Sequence, residues 1–288
     1  MTSPNPLQDY LRVQQKMDVR MRTILIQAAI TTARKILLLS KKNGVGARTR
    51  EAQLGLFLEY LKNEQTELWV HTIYPLIVKT MKEAAGSADN AADYIDEVLR
   101  TAVGDHQAEF LLEGIRVQAR IAASFDLDSR ARVLSGRVWK NVDQNIARIQ
   151  RVVQKHLVTG SVNARELAAD VRRFIDPNTK GGASYAAMRL ARTEINGAFH
   201  DRQKRIAESR PWVKSGKWNL SRTHQHRDAC DALAHGHSEG LHAGHYNTDQ
   251  IPDKPHPQCL CYITYDLPSD RDMTNLLRAK LGKAPLIA

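Results

Sequence analysis

Apolar positions in the first two-thirds of the chain recur at intervals of three and four, the period of helices buried along one face. From Leu7 to Met81 the chain is rich in Leu, Ile, Ala and Gln. The stretch "SKKNGVGART" (40–49) interrupts it with two glycines among polar neighbours, so two long helices flanking a loop are predicted. In the second, Leu54, Leu58, Leu61, Leu68 and Ile73 keep near-helical spacing, and Pro75 is expected to bend or break it. Phe57, Trp69 and Tyr74 read as core or partner contacts. Residues 87–125 predict one or two further helices, with Ser87 or Asp89 as N-cap. Asp105 and His106 fall inside that helical pattern and point in different directions, so they make no catalytic dyad.

In "LSGRVWKNVDQNIARIQRVVQKHLVTGS" (134–161) the apolar set Val138, Val142, Ile146, Ile149, Val153 and Leu157 defines an amphipathic helix. Lys140, Arg148, Arg151 and Lys155 lie on its other face. Gly160 is placed to end it and Ser161 to cap the next helix, "ARELAADVRRFIDP", which Asp176 and Pro177 stop. After the glycine-bearing loop "NTKGGASY" comes a long helix ended by Pro211. Its stripe is Met188, Ala191, Ile195, Ala198, Phe199, Arg202 and Ile206, with Arg192 and Glu194 at opposite edges, where both are expected to meet what packs there.

Beyond Pro211 the period changes. "WVKSGKWNLS" alternates, "CYITYDL" is β-branched and aromatic, and a Gly- and His-rich connection joins them, as in an antiparallel hairpin or ribbon. The predicted fold class is mainly α, with long helices in the N-terminal two-thirds and a small α+β C-terminal unit. Three regions follow: 1–110, basic and helical; 111–210, helical; and 211–288, carrying the cysteines and most histidines.

Charge sharpens the first region. The 288-residue chain has a formal charge of +11, and residues 1–50 hold ten Lys or Arg against Asp9 and Asp18. Arg20, Arg22, Arg34, Lys35, Lys41, Lys42, Arg48 and Arg50 are candidate contacts to an anionic partner, nucleic acid first; a merely solvated helix surface is the competing explanation. No run of about 18 apolar residues is present and the N-terminus lacks signal-peptide character, so a cytoplasmic protein without a membrane span is expected.

The chemistry sits at the other end. All three cysteines, Cys230, Cys259 and Cys261, and eight of the eleven histidines lie between positions 200 and 261. If Cys259 and Cys261 stand on one strand, both thiolates face the same side. Pro255 and Pro257 would fix the backbone around His256. The economical tetrahedral set is the three cysteines with His256 or His224, and sulfur and nitrogen ligands in a reducing compartment point to structural zinc. Three buried free thiols with a His-Pro turn capping the strand are the alternative. A redox C-x-C is disfavoured because no helix N-terminus lowers a thiol pKa there. A catalytic metal would need a base, for which Asp228, Asp231 and Glu239 are the nearby carboxylates. His235, His237, His242 and His245 are assigned to an exposed loop. Nucleotide-binding, nucleophile-elbow and zinc-protease motifs are absent.

Four segments in order, "GGASYAAMRLARTEINGAFH", "WNLS" with Trp218, "H…DACDAL" and "PHPQCLCY", resemble the phage Mu protein F-like family of minor head proteins, also called phage head morphogenesis proteins, over roughly Leu134 to Leu267. By motif match Arg192, Thr193 and Glu194 correspond to the family's Arg-Thr-Glu, Asp228 belongs to its Asp-x-Cys segment, and Cys230, His256, Cys259 and Cys261 correspond to its terminal cluster. Leu260 stands where many members have Arg, and residues 231–233 lack the second cysteine of some branches, which argues against a four-thiolate zinc site and leaves a mixed His and Cys site or none. The resemblance implies a virion protein inside the capsid at the portal vertex, with the portal protein, the major capsid or scaffolding protein and packaged double-stranded DNA as partners, and no enzymatic activity. The competing expectation is a metal-dependent nuclease or toxin-like enzyme using the His/Cys cluster. About twenty residues follow the matched region, in which no appended catalytic domain is expected.

Overall fold

The computed structural model describes residues 6–41, 47–158 and 164–280. Its elements are α1 (Pro6–Lys41), α2 (Ala47–Thr66), a π-helical turn (Glu67–Ile73), α3 (Tyr74–Val103), α4 (Asp105–Val158), α5 (Ala164–Ile175), α6 (Ala183–Ser209), β1 (Ser215–Asn219), α7 (Ala229–His235), β2 (His245–Tyr246), a 3₁₀ turn (Thr248–Gln250), β3 (Tyr262–Asp266) and α8 (Asp270–Lys280). Long helices lead into a small three-stranded antiparallel sheet, the expected class.

Pro75 does not break its helix. The wide turn Glu67–Ile73 lies immediately upstream, where a proline would otherwise clash with a carbonyl, and α3 continues beyond it. Ser87 and Asp89 are not N-caps. Both lie within α3, where the Ser87 hydroxyl donates to the Glu83 carbonyl at 3.1 Å and Asp89 accepts from Arg202 Nε at 2.6 Å. The actual break is Gly104, whose φ of +88° ends α3 and puts Asp105 at the start of α4. α4 then runs unbroken for 54 residues through the segments 108–125 and 134–158. The positions Gly160 and Ser161 lie outside the described residues.

The chain divides into two compact units, one of Met1–Gln14, Thr80–Arg130 and Thr193–Ala288, the other of Gln15–Lys79 and Ala131–Arg192. In the second unit Ala29 and Ile36 of α1, Leu61 of α2, Ile149 and Val153 of α4 and the apolar face of α5 make one core. The loop between α5 and α6 closes tightly there. Gly181 has φ +79°, and a Cβ on Gly182 would stand 2.5 Å from the Phe174 carbonyl oxygen.

In the first unit, α6 supports the sheet. Tyr10 stacks on Phe199 with centroids 4.2 Å apart, and Arg210 pairs with Asp96 at 2.8 and 3.1 Å, both buried. Gln203 is shared with the sheet: its Nε2 donates to the Ile263 carbonyl at 3.1 Å and its own backbone carbonyl accepts from the Tyr265 hydroxyl at 2.9 Å. The strand order is β2-β1-β3, with Trp218 opposite Ile263 and Gly216 opposite both Tyr246 and Tyr265. β2 comes from the histidine-rich connection, so His245 is a strand residue rather than an exposed-loop residue. Its Nδ1 lies 2.6 Å from Asp266 Oδ2.

Candidate metal centre

The short helix α7 positions the first thiol. Asp228 caps it, accepting from the Cys230 N–H at 2.7 Å, while the Asp231 carboxylate accepts from the Asp228 N–H at 2.8 Å. This reciprocal cap fixes the turn and aims Cys230 inward. The other two thiols come from the segment between Pro252 and β3. Cys259 and Cys261 precede β3 and do not lie on it, so strand alternation does not bring them together. A turn does: Pro257 is followed by Gln258 at φ +60°, a left-handed conformation that is uncommon for a residue with a Cβ.

Trp218, Cys230, Cys259 and Cys261 form one buried cluster, and the cysteines are free thiols exposed by 0, 1 and 2%. The three sulfur atoms lie within 4.8 Å of one another, with Cys230 Sγ 3.4 Å from Cys259 Sγ. His256 adds nitrogen to the same edge: its Nε2 is 3.2 Å from Cys230 Sγ and 3.1 Å from Asp228 Oδ2. Its Nδ1 is 3.0 Å from the Pro257 carbonyl. A proton on Nδ1, donated to that carbonyl, would free the Nε2 lone pair for a metal, whereas Asp228 Oδ2, an acceptor beside Nε2, favours a proton on Nε2 instead.

The three thiols form one group that can hold a metal ion, and His256 groups with Cys230 and Asp228 rather than with Cys259 and Cys261. Tetrahedral bonds of about 2.3 Å to sulfur and about 2.0 Å to nitrogen require sulfur–sulfur separations near 3.8 Å and sulfur–nitrogen separations near 3.6 Å. The observed 3.4 and 3.2 Å are a few tenths short, which side-chain rotation can supply. The buried trio of cysteines can therefore hold a metal ion.

The protonation pattern has distinct causes. Burial pushes the Cys230 thiol up to about 12. Cys259 is lowered, first by the hydrogen bond from Cys261, then by the nearby Lys254 charge. Cys261, which makes that bond and is desolvated, is raised. Lys254 Nζ stands 5.6 Å over the Trp218 ring and donates to the Cys261 carbonyl. Sequence reading missed this lysine, although it sits two positions before His256.

His224 belongs to a neighbouring group. Its Nε2 is 2.9 Å from Asp231 Oδ2 and 3.9 Å from Asp228 Oδ1, and the Asp231 hydrogen bond raises its pKa. Asp228 is common to the His224–Asp228–Asp231 and Asp228–Cys230–His256 groups. His235, His237 and His242 stay on the solvent side of the unit, partly or fully exposed.

The Arg-Thr-Glu residues make structural contacts. Arg192 grips Asp18 through Nε at 3.0 Å and Nη2 at 2.7 Å. Glu194, 0% exposed, accepts from Arg130 Nη1 at 3.3 Å. Thr193 Oγ1 accepts from the Gln258 N–H at 3.2 Å. Each edge charge of the α6 stripe thus meets an ion partner, as expected. Arg130 and Asp18 themselves gave no signal in the sequence, because their partners are 64 and 174 positions away.

Of the basic candidates, Arg20, Arg22, Arg34 and Lys35 lie on α1 with their side chains at least partly exposed. Arg22 Nη1 donates to Asn178 Oδ1 at 3.3 Å and the Lys35 ammonium stands 4.4 Å over the Tyr60 ring. Lys42 and the side chains of Lys41, Arg48 and Arg50 lie outside the described residues. Among the described residues no helix is long and apolar enough to cross a membrane. Comparison with protein-family models, curated proteins and solved structures gives no match.

Proposed function

We propose that the protein is a minor capsid protein of a tailed bacteriophage, a head morphogenesis protein bound at the portal vertex inside the head, where it aids procapsid assembly, DNA packaging or DNA delivery. Its C-terminal unit is a structural clasp, and zinc is the metal that Cys230, Cys259, Cys261 and His256 hold. The observation that carries the reading is the meeting, within one unit, of residues from all four resembling segments, the first of which contributes Thr193 and Glu194 while its residues 181–192 belong to the other unit. Trp218, Cys230, Cys259 and Cys261 share a buried cluster, Thr193 bonds the turn between His256 and Cys259, and Glu194 is buried against Arg130. Residues so used hold a fold together.

Bound zinc supplies a cross-link between α7 and the segment leading into β3. The chain's own residues prepare it. Asp228 and Asp231 fix the Cys230 turn, the Pro257 carbonyl orients His256, and Trp218 covers the thiols. The exposed cations of α1 face packaged duplex through phosphate contacts, independent of base sequence.

The test is a pull-down of tagged full-length protein from induced or infected cells, with elemental analysis of the same sample. Recovery of the portal protein and about one zinc per chain are expected. A pull-down lacking portal and capsid proteins overturns the assembly role. Metal-free protein with all three thiols titratable overturns the clasp. Metal-dependent plasmid cleavage that His256→Ala abolishes would replace both with a nuclease.

A further inference from the structure

α4 carries apolar side chains on two opposite faces. Over its first turns Ala108, Leu112 and Ala119 are buried. On the reverse side Phe110, Val117, Ile121 and Phe125 are exposed by 75, 52, 67 and 67%. At about 100° per residue, Phe110, Gly114, Val117, Ile121 and Ser124 fall on one line, with Phe125 beside its end. Their spacings of four, three, four and three are the heptad alternation of a coiled-coil seam, with the small Gly114 and Ser124 between and after the large side chains. Two phenylalanines, an isoleucine and a valine along one strip make a patch of a few hundred Å2, the size that marks an interaction surface.

We propose that this face pairs with the same face of a second copy of the chain, as an antiparallel two-helix seam. Charge selects both the occupant and the direction. Glu113 and Arg120 border the seam on the same side, one heptad apart; both are exposed and neither has an ion-pair partner among the described residues. An antiparallel pair centred on Val117 sets Glu113 beside the partner's Arg120, and the two-fold axis repeats the contact with the roles exchanged. The same register lays Phe110 over the partner's Ser124, whose small side chain admits the ring, and against the partner's Phe125. Gly114 likewise leaves room for the partner's Ile121. Parallel pairing would set Glu113 against the partner's Gln118 and Arg120 against the partner's Phe125, leaving both charges unmatched. The face is therefore complementary to itself in one direction only. The strip is about 24 Å long, shorter than a standard stable interface, so the dimer is dissociable.

Sedimentation of the full chain in reducing buffer tests this. Monomer and dimer should exchange, with the dimer fraction rising with concentration. Ile121→Glu should leave only monomer while far-UV circular dichroism and the melting temperature stay unchanged, because the side chain is solvated in the monomer. Glu113→Arg should weaken association about tenfold, and adding Arg120→Glu to it should restore the wild-type constant. A monomer up to the solubility limit, association indifferent to Ile121→Glu, or a double variant no tighter than the single one would overturn the proposal.

Discussion

The Thr193 hydroxyl on α6 accepts a hydrogen bond from the backbone N–H of Gln258, 65 residues away, at 3.2 Å. Gln258 sits at φ +60° immediately after Pro257, where such a turn favours glycine. The bond thus stabilises a strained turn that delivers Cys259 to the cluster. Gln258→Gly is expected to raise unfolding stability by about 0.5–1 kcal/mol. Thr193→Val, which removes the acceptor, should lower it by about 1 kcal/mol, with Thr193→Ser close to wild type. Urea unfolding midpoints decide, and a destabilising Gln258→Gly would show that the side chain matters more than the backbone strain.

Arg130 lies across the Gly197 notch of α6, where any Cβ would collide with its guanidinium, and reaches Glu194 at 3.3 Å and Asp201. Glu194 is fully buried, so removing the cation leaves a carboxylate in a poorly solvated place. Arg130→Met is expected to cost about 3 kcal/mol. Gly197→Ala should cost less, since only the far end of a long side chain has to move. Both are read by thermal unfolding; equal effects would mean that Arg130 cannot shift.

The ligand set can be resolved by single substitutions with zinc counted per chain. Cys230→Ser, Cys259→Ser and Cys261→Ser should each lose metal and melt earlier, as should wild-type protein treated with a strong chelator. His256→Ala should weaken metal affinity by at least about tenfold, whereas His224→Ala should keep the metal, since His224 is engaged by Asp231 and Asp228. Loss of zinc on His224→Ala with retention on His256→Ala would reverse the assignment.

Duplex DNA should bind weakly at low salt and release towards physiological salt, because phosphate neutralisation displaces counterions. Arg22 and Lys35 are partly engaged by Asn178 and Tyr60, so replacing Arg20 and Arg34 with Gln should cost more affinity than replacing the other pair. Gel retardation across a salt series reads this, and salt-independent binding would remove the electrostatic account.

What the sequence disclosed follows from the range of the forces involved. α5, α6, β1 and β3 were legible because period, proline stops and β-branched runs are local. The cysteines were legible as a group because sulfur is rare. What stayed hidden depends on distant partners. The continuity of α4 is one case, since a helix persists where its neighbours cover it. The strand formed by His245 is another, set by β1 and by Asp266 rather than by its own glycine-rich surroundings. The pairing of His256 with Cys230, and of His224 with Asp231, depends on the Asp228 cap, whose geometry exists only once α7 has formed.

His200 is 1% exposed, with Nε2 2.8 Å from the Pro252 carbonyl and no partner at Nδ1. The proton therefore resides on Nε2 and the ring is neutral. Burial, reinforced by the Lys254 charge, pushes its pKa down to about 3, against about 6.5 for a free imidazole. Between those values the unfolded chain binds a proton that the folded chain refuses. The stability carried by the neutral ring is accordingly complete above about pH 6.5 and declines as the pH falls, by up to about 1.4 kcal/mol per pH unit, until the folded form also protonates. His200→Gln keeps an N–H for Pro252 and cannot titrate. Its urea midpoint should therefore fall less steeply than the wild type's between about pH 6.5 and 5, with the two curves separating by about 1–2 kcal/mol over that interval. Parallel curves would mean that the folded protein takes up the proton at His200, by admitting water to Nδ1.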